Sequence, residues 1–139
     1  MRLVLDTNAA ISGLLWDGTP GKLIDAAQEK SVSLYTSAAL LAELQGVLAR
    51  AKFAKQLQSR ALTTVAVFDG YAALAAIVTP ASIASAVAKD PTDDAVLACA
   101  LAAQADLIVS GDRDLLQLKH YQHIPIVTPI EALTRLSPK

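Results

Sequence analysis

Apolar positions along this chain follow two periods. Short apolar-rich runs at Arg2–Leu5, Ser33–Tyr35, Ala76–Val78, Leu107–Val109 and Pro125–Val127 read as strands, and the runs at Leu3–Leu5 and Leu107–Val109 are continuous, as strands buried on both faces require. Between them the apolar residues return every three or four positions. The clearest stripe is Leu40, Leu41, Leu44, Val47 and Leu48, behind Ser37 as a helix cap. A long helical region runs from Pro20 to Ala75, broken only by the second strand, with Thr19 as its N-cap and Pro20 in the first turn. Asp90-Pro91-Thr92-Asp93 reads as a further N-cap before an apolar helix from Ala95 to Ala105, and Asp114 as the cap of a short helix over Leu115–Leu118. Strands alternating with helices predict an α/β fold, with three α/β/α layers around a mostly parallel, roughly five-stranded sheet. With no repeat or linker, residues 1–139 are expected to form one domain.

Composition narrows the class. Hydrophobic residues make up 53% of the chain and charged residues 18%, which excludes disorder, while aromatics at 4% leave the core to Leu, Ala, Val and Ile. The single cysteine, Cys99, lies inside an apolar run and reads as a buried thiol in a reducing, cytoplasmic setting. Asp6 interrupts the N-terminal apolar run, so no signal peptide is read. The uncharged stretch Tyr71–Ala88 is broken by Pro80 and rich in alanine, so it reads as helix, strand and loop, not as a membrane span. Net charge is −1, so attraction to nucleic acid cannot come from the average. It can come from one interval: no acid lies between Glu43 and Asp69, where Arg50, Lys52, Lys55 and Arg60 stand. A solvated helix surface is the competing explanation.

The acidic residues carry the candidate chemistry. Leu3-Val4-Leu5 is followed by Asp6, and Leu107-Ile108-Val109 by Ser110-Gly111-Asp112. Ligands of open α/β sheets bind beyond the carboxyl ends of the strands, so these two carboxylates are expected at one sheet edge. Carboxylates held together repel unless a cation lies between them. Glu43 borders the apolar stripe of its helix, where Gly46 and Val47 occupy the positions a lysine partner would need. Asp90, Asp93 and Asp94 crowd one helix start, and capping does not require all three. Spacing alone does not choose between Asp93 and Asp94. Asp114 follows Asp112 by two residues and serves either as a cap or as a further ligand. An all-carboxylate set favours Mg²⁺ or Mn²⁺ over zinc. His120 and His123 read as loop residues at the surface.

In order and spacing these motifs resemble the PIN (PilT N-terminus) domain family over nearly the whole chain. Leu-Val-Leu-Asp-Thr-Asn resembles its first acidic motif and the helical Glu43 its second. Asp93-Asp94-Ala95-Val96-Leu97-Ala98 resembles the third, an alignment that selects Asp94 and keeps Asp93 as its rival. Val109-Ser110-Gly111-Asp112-Arg113-Asp114 resembles the fourth, with serine where the family often has threonine. The nearest branch resembles prokaryotic toxins of the VapC kind.

The resemblance implies a PIN-like fold and a Mg²⁺- or Mn²⁺-dependent endoribonuclease leaving 5′-phosphate and 3′-hydroxyl ends. Asp6, Glu43, Asp94 and Asp112 would hold the metal and carry catalysis, with Asp93 and Asp114 as further candidates. Glu43 or Asp94 would accept the proton of the attacking water. Thr7, Asn8 and Ser110 would orient ligands or water, and Arg50, Lys52, Lys55, Arg60 and Arg113 would bind RNA. It further implies a homodimer and a small antitoxin partner. The competing readings are a catalytically silent PIN-fold scaffold and an α/β phosphatase-type domain. The latter's second aspartate, two residues after the first, is replaced here by Asn8.

Overall fold

The computed structural model describes residues 1–16, 18–83 and 91–136. Six strands form one sheet: β1 (Arg2–Leu5), β2 (Ser33–Thr36), β3 (Ala76–Ile77), β4 (Leu107–Val109), β5 (His120–Tyr121) and β6 (Ile124–Val127), in the order β3-β2-β1-β4-β6-β5. All neighbours are parallel except β5 and β6, which form a short antiparallel pair. The helices are α1 (Thr7–Leu15), α2 (Thr19–Gln28), α3 (Ala38–Leu48), α4 (Ala54–Ser59), α5 (Thr64–Leu74), α6 (Pro91–Ala103), α7 (Arg113–Leu118) and α8 (Pro129–Leu136).

Alternation along the strands builds two cores. Leu3, Leu5, Leu34, Leu107, Val109 and Val127 face one way and pack with residues of α1, α2, α5 and α8. Val4, Ile108 and Ile126 face the other way and pack with Val96, Leu97, Cys99 and Ala100 of α6 and Leu115 of α7. A strand apolar at every position is thereby explained, because each face is covered by helices. β1 lies between β2 and β4, with Leu5 level with Val109. The chain leaves β1 toward β2 on one side, and β4 arrives on the other. The carboxyl ends of β1 and β4 therefore flank a topological switch point, where an open α/β sheet forms a crevice. Among the described residues no helix is long and apolar enough to cross a membrane.

Several local expectations are corrected. The sheet has six strands, because His120 and Tyr121 pair with Pro125 and Ile124 instead of forming a loop; both histidines are exposed, as expected. Thr19 is the first residue of α2, and its cap is Gly18, at φ 137°. Asp112, not Asp114, caps α7, its carboxylate accepting from the Asp114 N–H at 3.3 Å. Helix α6 already runs from Pro91 and stops at Ala103, before Gln104 at φ 51°. The expected cap Asp90 lies outside the described residues.

Candidate metal centre at the carboxyl edge of the sheet

Asp6 is the first residue beyond β1 and the N-cap of α1, and these two roles fix its carboxylate. One oxygen accepts from the Ala9 N–H at 2.8 Å, and the other accepts from the Ser110 hydroxyl at 2.5 Å. The backbone continues the sheet for one more bond, Asp6 N to Val109 O, at 3.0 Å. Ser110, fully buried beyond β4, also accepts from the Asp112 N–H at 2.9 Å. One serine thus ties the first acidic motif to the fourth. Asp6 is only 5% exposed. Burial pushes its carboxyl above the usual range, against the lowering effect of the Ser110 and Ala9 hydrogen bonds, and the negative Asp112 pushes it the same way. Its anionic form is therefore short of positive charge.

The surroundings deepen that deficit. A cleft of about 170 Å³ is lined by Asp6, Thr7, Asn8, Glu43, Thr92, Asp93 and Asp112. Glu43 reaches it from the middle of α3, whose stripe Leu40, Leu41, Leu44, Val47 and Leu48 is buried as expected and leaves Glu43 half-buried at its border. Asp93, 6% exposed, reaches it from the first turn of α6. Carboxylate oxygens of Asp93, Asp112 and Asp114 all lie within 4.8 Å of one another. Neighbouring ligands of a Mg²⁺ ion with bonds near 2.1 Å are about 3 Å apart, so an ion held by all three would draw these oxygens in from their present spacing. Two carboxylates at that spacing repel by roughly 3 kcal/mol at an effective dielectric of about 20. The oxygen-only donor set, the buried Asp6 and a buried Thr7 hydroxyl with no hydrogen-bond partner fit a hard divalent cation with its bound water.

The structure thus brings together Asp6, Glu43, Asp93 and Asp112, with Asp114 beside the last two. Asp94, the residue the third-motif alignment selects, is half-buried next to Asp93 and is not among the cleft-lining residues. Thr92, which sequence reasoning passed over, is. Cys99 stays outside the chemistry, since burial pushes its thiol up to about 11. Arg50, Lys52, Lys55, Arg60 and Arg113 are all exposed. The first four follow the far end of α3, and Arg113 stands beside Asp112.

Acids in this order, meeting at the switch point of this sheet, invite comparison with known domains. The model of the PIN domain matches residues 2–114, most of the chain. The chain belongs to the PIN domain family. An uncharacterized protein of Methanocaldococcus jannaschii is 29% identical over 142 aligned residues, covering 94% of this chain and 88% of that protein. PIN domains have a nuclease-type fold, act on nucleic acids and usually bind divalent metals, which places the chain among the hydrolases at that level.

Proposed function

We propose that this PIN domain is a Mg²⁺- or Mn²⁺-dependent endoribonuclease, acting as the toxin of a toxin–antitoxin pair. The observation that supports it most is the convergence of Asp6, Glu43, Asp93 and Asp112 on one small cleft between the carboxyl ends of β1 and β4. Asp6, Asp93, Asp112 and Asp114 would hold the ion. When bound, such an ion lowers the pKa of a water and neutralises charge on the phosphoryl oxygens. The chain supplies the rest. Ser110 and the N-terminus of α1 fix Asp6, so its free lone pairs keep one direction. The Glu43 carboxylate makes no hydrogen bond among the described residues and the residue is half-buried, which suits it to accept the proton of the attacking water. Thr7 and Asn8, on the first turn of α1 and lining the cleft, would orient that water or a phosphate oxygen. A single-stranded or looped substrate fits best, because an A-form duplex hides its bases in a deep, narrow groove. Homodimer formation and inhibition by a small protein partner belong to this proposal as expectations drawn from the family.

The test is incubation of Mn²⁺-loaded protein with total cellular RNA, followed by mapping of new 5′-phosphate ends. Discrete new ends with wild type and none with Asp6→Asn support the proposal. No new ends with either protein, while Mn²⁺ binding is intact, favour the silent-scaffold reading instead.

A further inference from the structure

A second cavity, of about 450 Å³, opens between α1, α2 and the end of α4, and its lining includes Trp16, Lys22, Arg60, Asp25 and the backbone of Gly18 and Gly21. Trp16 is the chain's one tryptophan and is 42% exposed, yet it is held in place. Its ring meets the buried Phe53 edge-on, with centroids 5.9 Å apart and planes at 64°. The Lys52 ammonium lies 5.2 Å from the Phe53 ring centre. The Gln56 amide donates to the Leu15 carbonyl at 2.8 Å and locks α4 against the end of α1. An exposed indole held in a cavity that Lys22 also lines, with Lys52 over the neighbouring Phe53 ring, is a platform for a nucleobase whose phosphates carry the negative charge.

The fold relates this platform to the acidic cleft. Helices α1 and α3 pack against each other, and both begin at the carboxyl edge of the sheet. Asp6, Thr7 and Asn8 stand at the near end of α1, and Glu43 faces the same cleft from the middle of α3. Beyond the far end of α1, Trp16 meets Phe53, which lies in the turn that leads from α3 into α4. The nine residues of α1 span about 14 Å, a short stretch of single strand. The acid-free interval holding Arg50, Lys52, Lys55 and Arg60 begins where α3 ends. We infer that Trp16 stacks a base of single-stranded RNA outside the acidic cleft, with Lys22 and Lys52 against the adjoining phosphates. The inference rests on the ribonuclease reading and adds a subsite to it.

Because the chain has a single tryptophan, its fluorescence reports on this subsite alone. The probe is a short oligouridylate added to wild-type protein in EDTA, where no cleavage occurs, with fluorescence anisotropy of a labelled copy as the independent measure of binding. Saturable quenching is expected. Trp16→Ala should weaken binding about tenfold, within the range for loss of one base–aromatic stack, and Trp16→Phe should retain most of it. Lys22→Gln and Lys52→Gln should each lower the slope of log affinity against log salt. RNA binding and Mn²⁺-dependent cleavage that persist without quenching, and unchanged in Trp16→Ala, overturn the subsite and leave the ribonuclease reading standing. Absence of RNA binding by anisotropy overturns the subsite, and absence of Mn²⁺-dependent cleavage as well overturns both. A concentration-dependent fluorescence shift without RNA means that a second copy covers Trp16, and it too overturns the subsite.

Discussion

Replacing Asp6 by asparagine separates its role as a helix cap from its role in a cation site. Asparagine caps as well as aspartate does, so the bond from the Ala9 N–H survives, whereas Asp6→Ala loses it at a cost of about 1 kcal/mol. The charge behaves differently. Burial raises the Asp6 pKa in the folded protein above its ordinary 3.8. The folded state then binds this proton more tightly than the unfolded state. Without metal, the contribution of Asp6 to stability is greatest below the unfolded pKa and falls as pH rises through the folded one. At neutral pH in EDTA, Asp6→Asn should therefore unfold at a higher temperature than wild type, and Asp6→Ala at a lower one than Asp6→Asn. Mn²⁺ reverses the first order. At one hundred times its dissociation constant a ligand stabilises the folded state by about 2.7 kcal/mol. At about 4 °C per kcal/mol for a domain of this size, wild type should gain about 10 °C. Asp6→Asn, short of one anionic ligand, should gain little. Scanning fluorimetry of the three proteins in EDTA and in graded Mn²⁺ reads all of this. An equal Mn²⁺ shift in wild type and Asp6→Asn would refute the reasoning, as would Asp6→Asn falling with Asp6→Ala in EDTA.

Other consequences are equally open to measurement. Asp93→Asn should abolish the Mn²⁺ shift and cleavage, while Asp94→Asn keeps most of both; the opposite result in calorimetry and a cleavage assay would restore the assignment drawn from motif alignment. Ser110→Ala removes the hydroxyl shared by Asp6 and Asp112, strands a buried carboxylate oxygen and should cost about 1–3 kcal/mol in urea unfolding at neutral pH. Thr7→Val deletes a buried hydroxyl without a partner, so stability in EDTA should stay level or rise while the cleavage rate in Mn²⁺ falls. Unchanged cleavage by that variant would make Thr7 a packing residue only.

Much of this arrangement is legible in the sequence, for identifiable reasons. Strands β1 and β4 are covered on both faces, so each is an unbroken apolar run, and the polar residue ending each run marks the sheet edge. Helix α3 announces itself through Ser37 and a single-sided stripe, and that stripe places Glu43 at its border. Helix α6 offers no such guide. Val96, Leu97, Ala98, Cys99 and Ala100 are all buried, so apolar residues surround the axis and leave its rotation undetermined. Asp93 and Asp94 differ by about 100° around that axis. Only the packing of α6 against the sheet turns Asp93 into the cleft. The two-residue strand β5 is too short to show any period. Helices α1 and α8 carry cap signals in the sequence. Asp6 caps the first, and Thr128 with Glu131 forms a reciprocal box before the second, with bonds of 3.0 and 3.2 Å. Trp16 gives no sequence signal beyond being the only tryptophan, since its partner Phe53 lies 37 residues further along the chain.

The central claim is that these carboxylates hold a divalent ion for RNA hydrolysis, and single-turnover cleavage of an end-labelled oligoribonucleotide tests it most directly. Protein stripped with EDTA should be inert, and Mn²⁺ should restore cleavage with 5′-phosphate and 3′-hydroxyl ends. Asp112→Asn, folded as judged by circular dichroism, should stay at least a hundredfold slower, about the effect of 2.7 kcal/mol on a barrier. Cleavage that proceeds in EDTA, or at the wild-type rate in Asp112→Asn, would contradict the account.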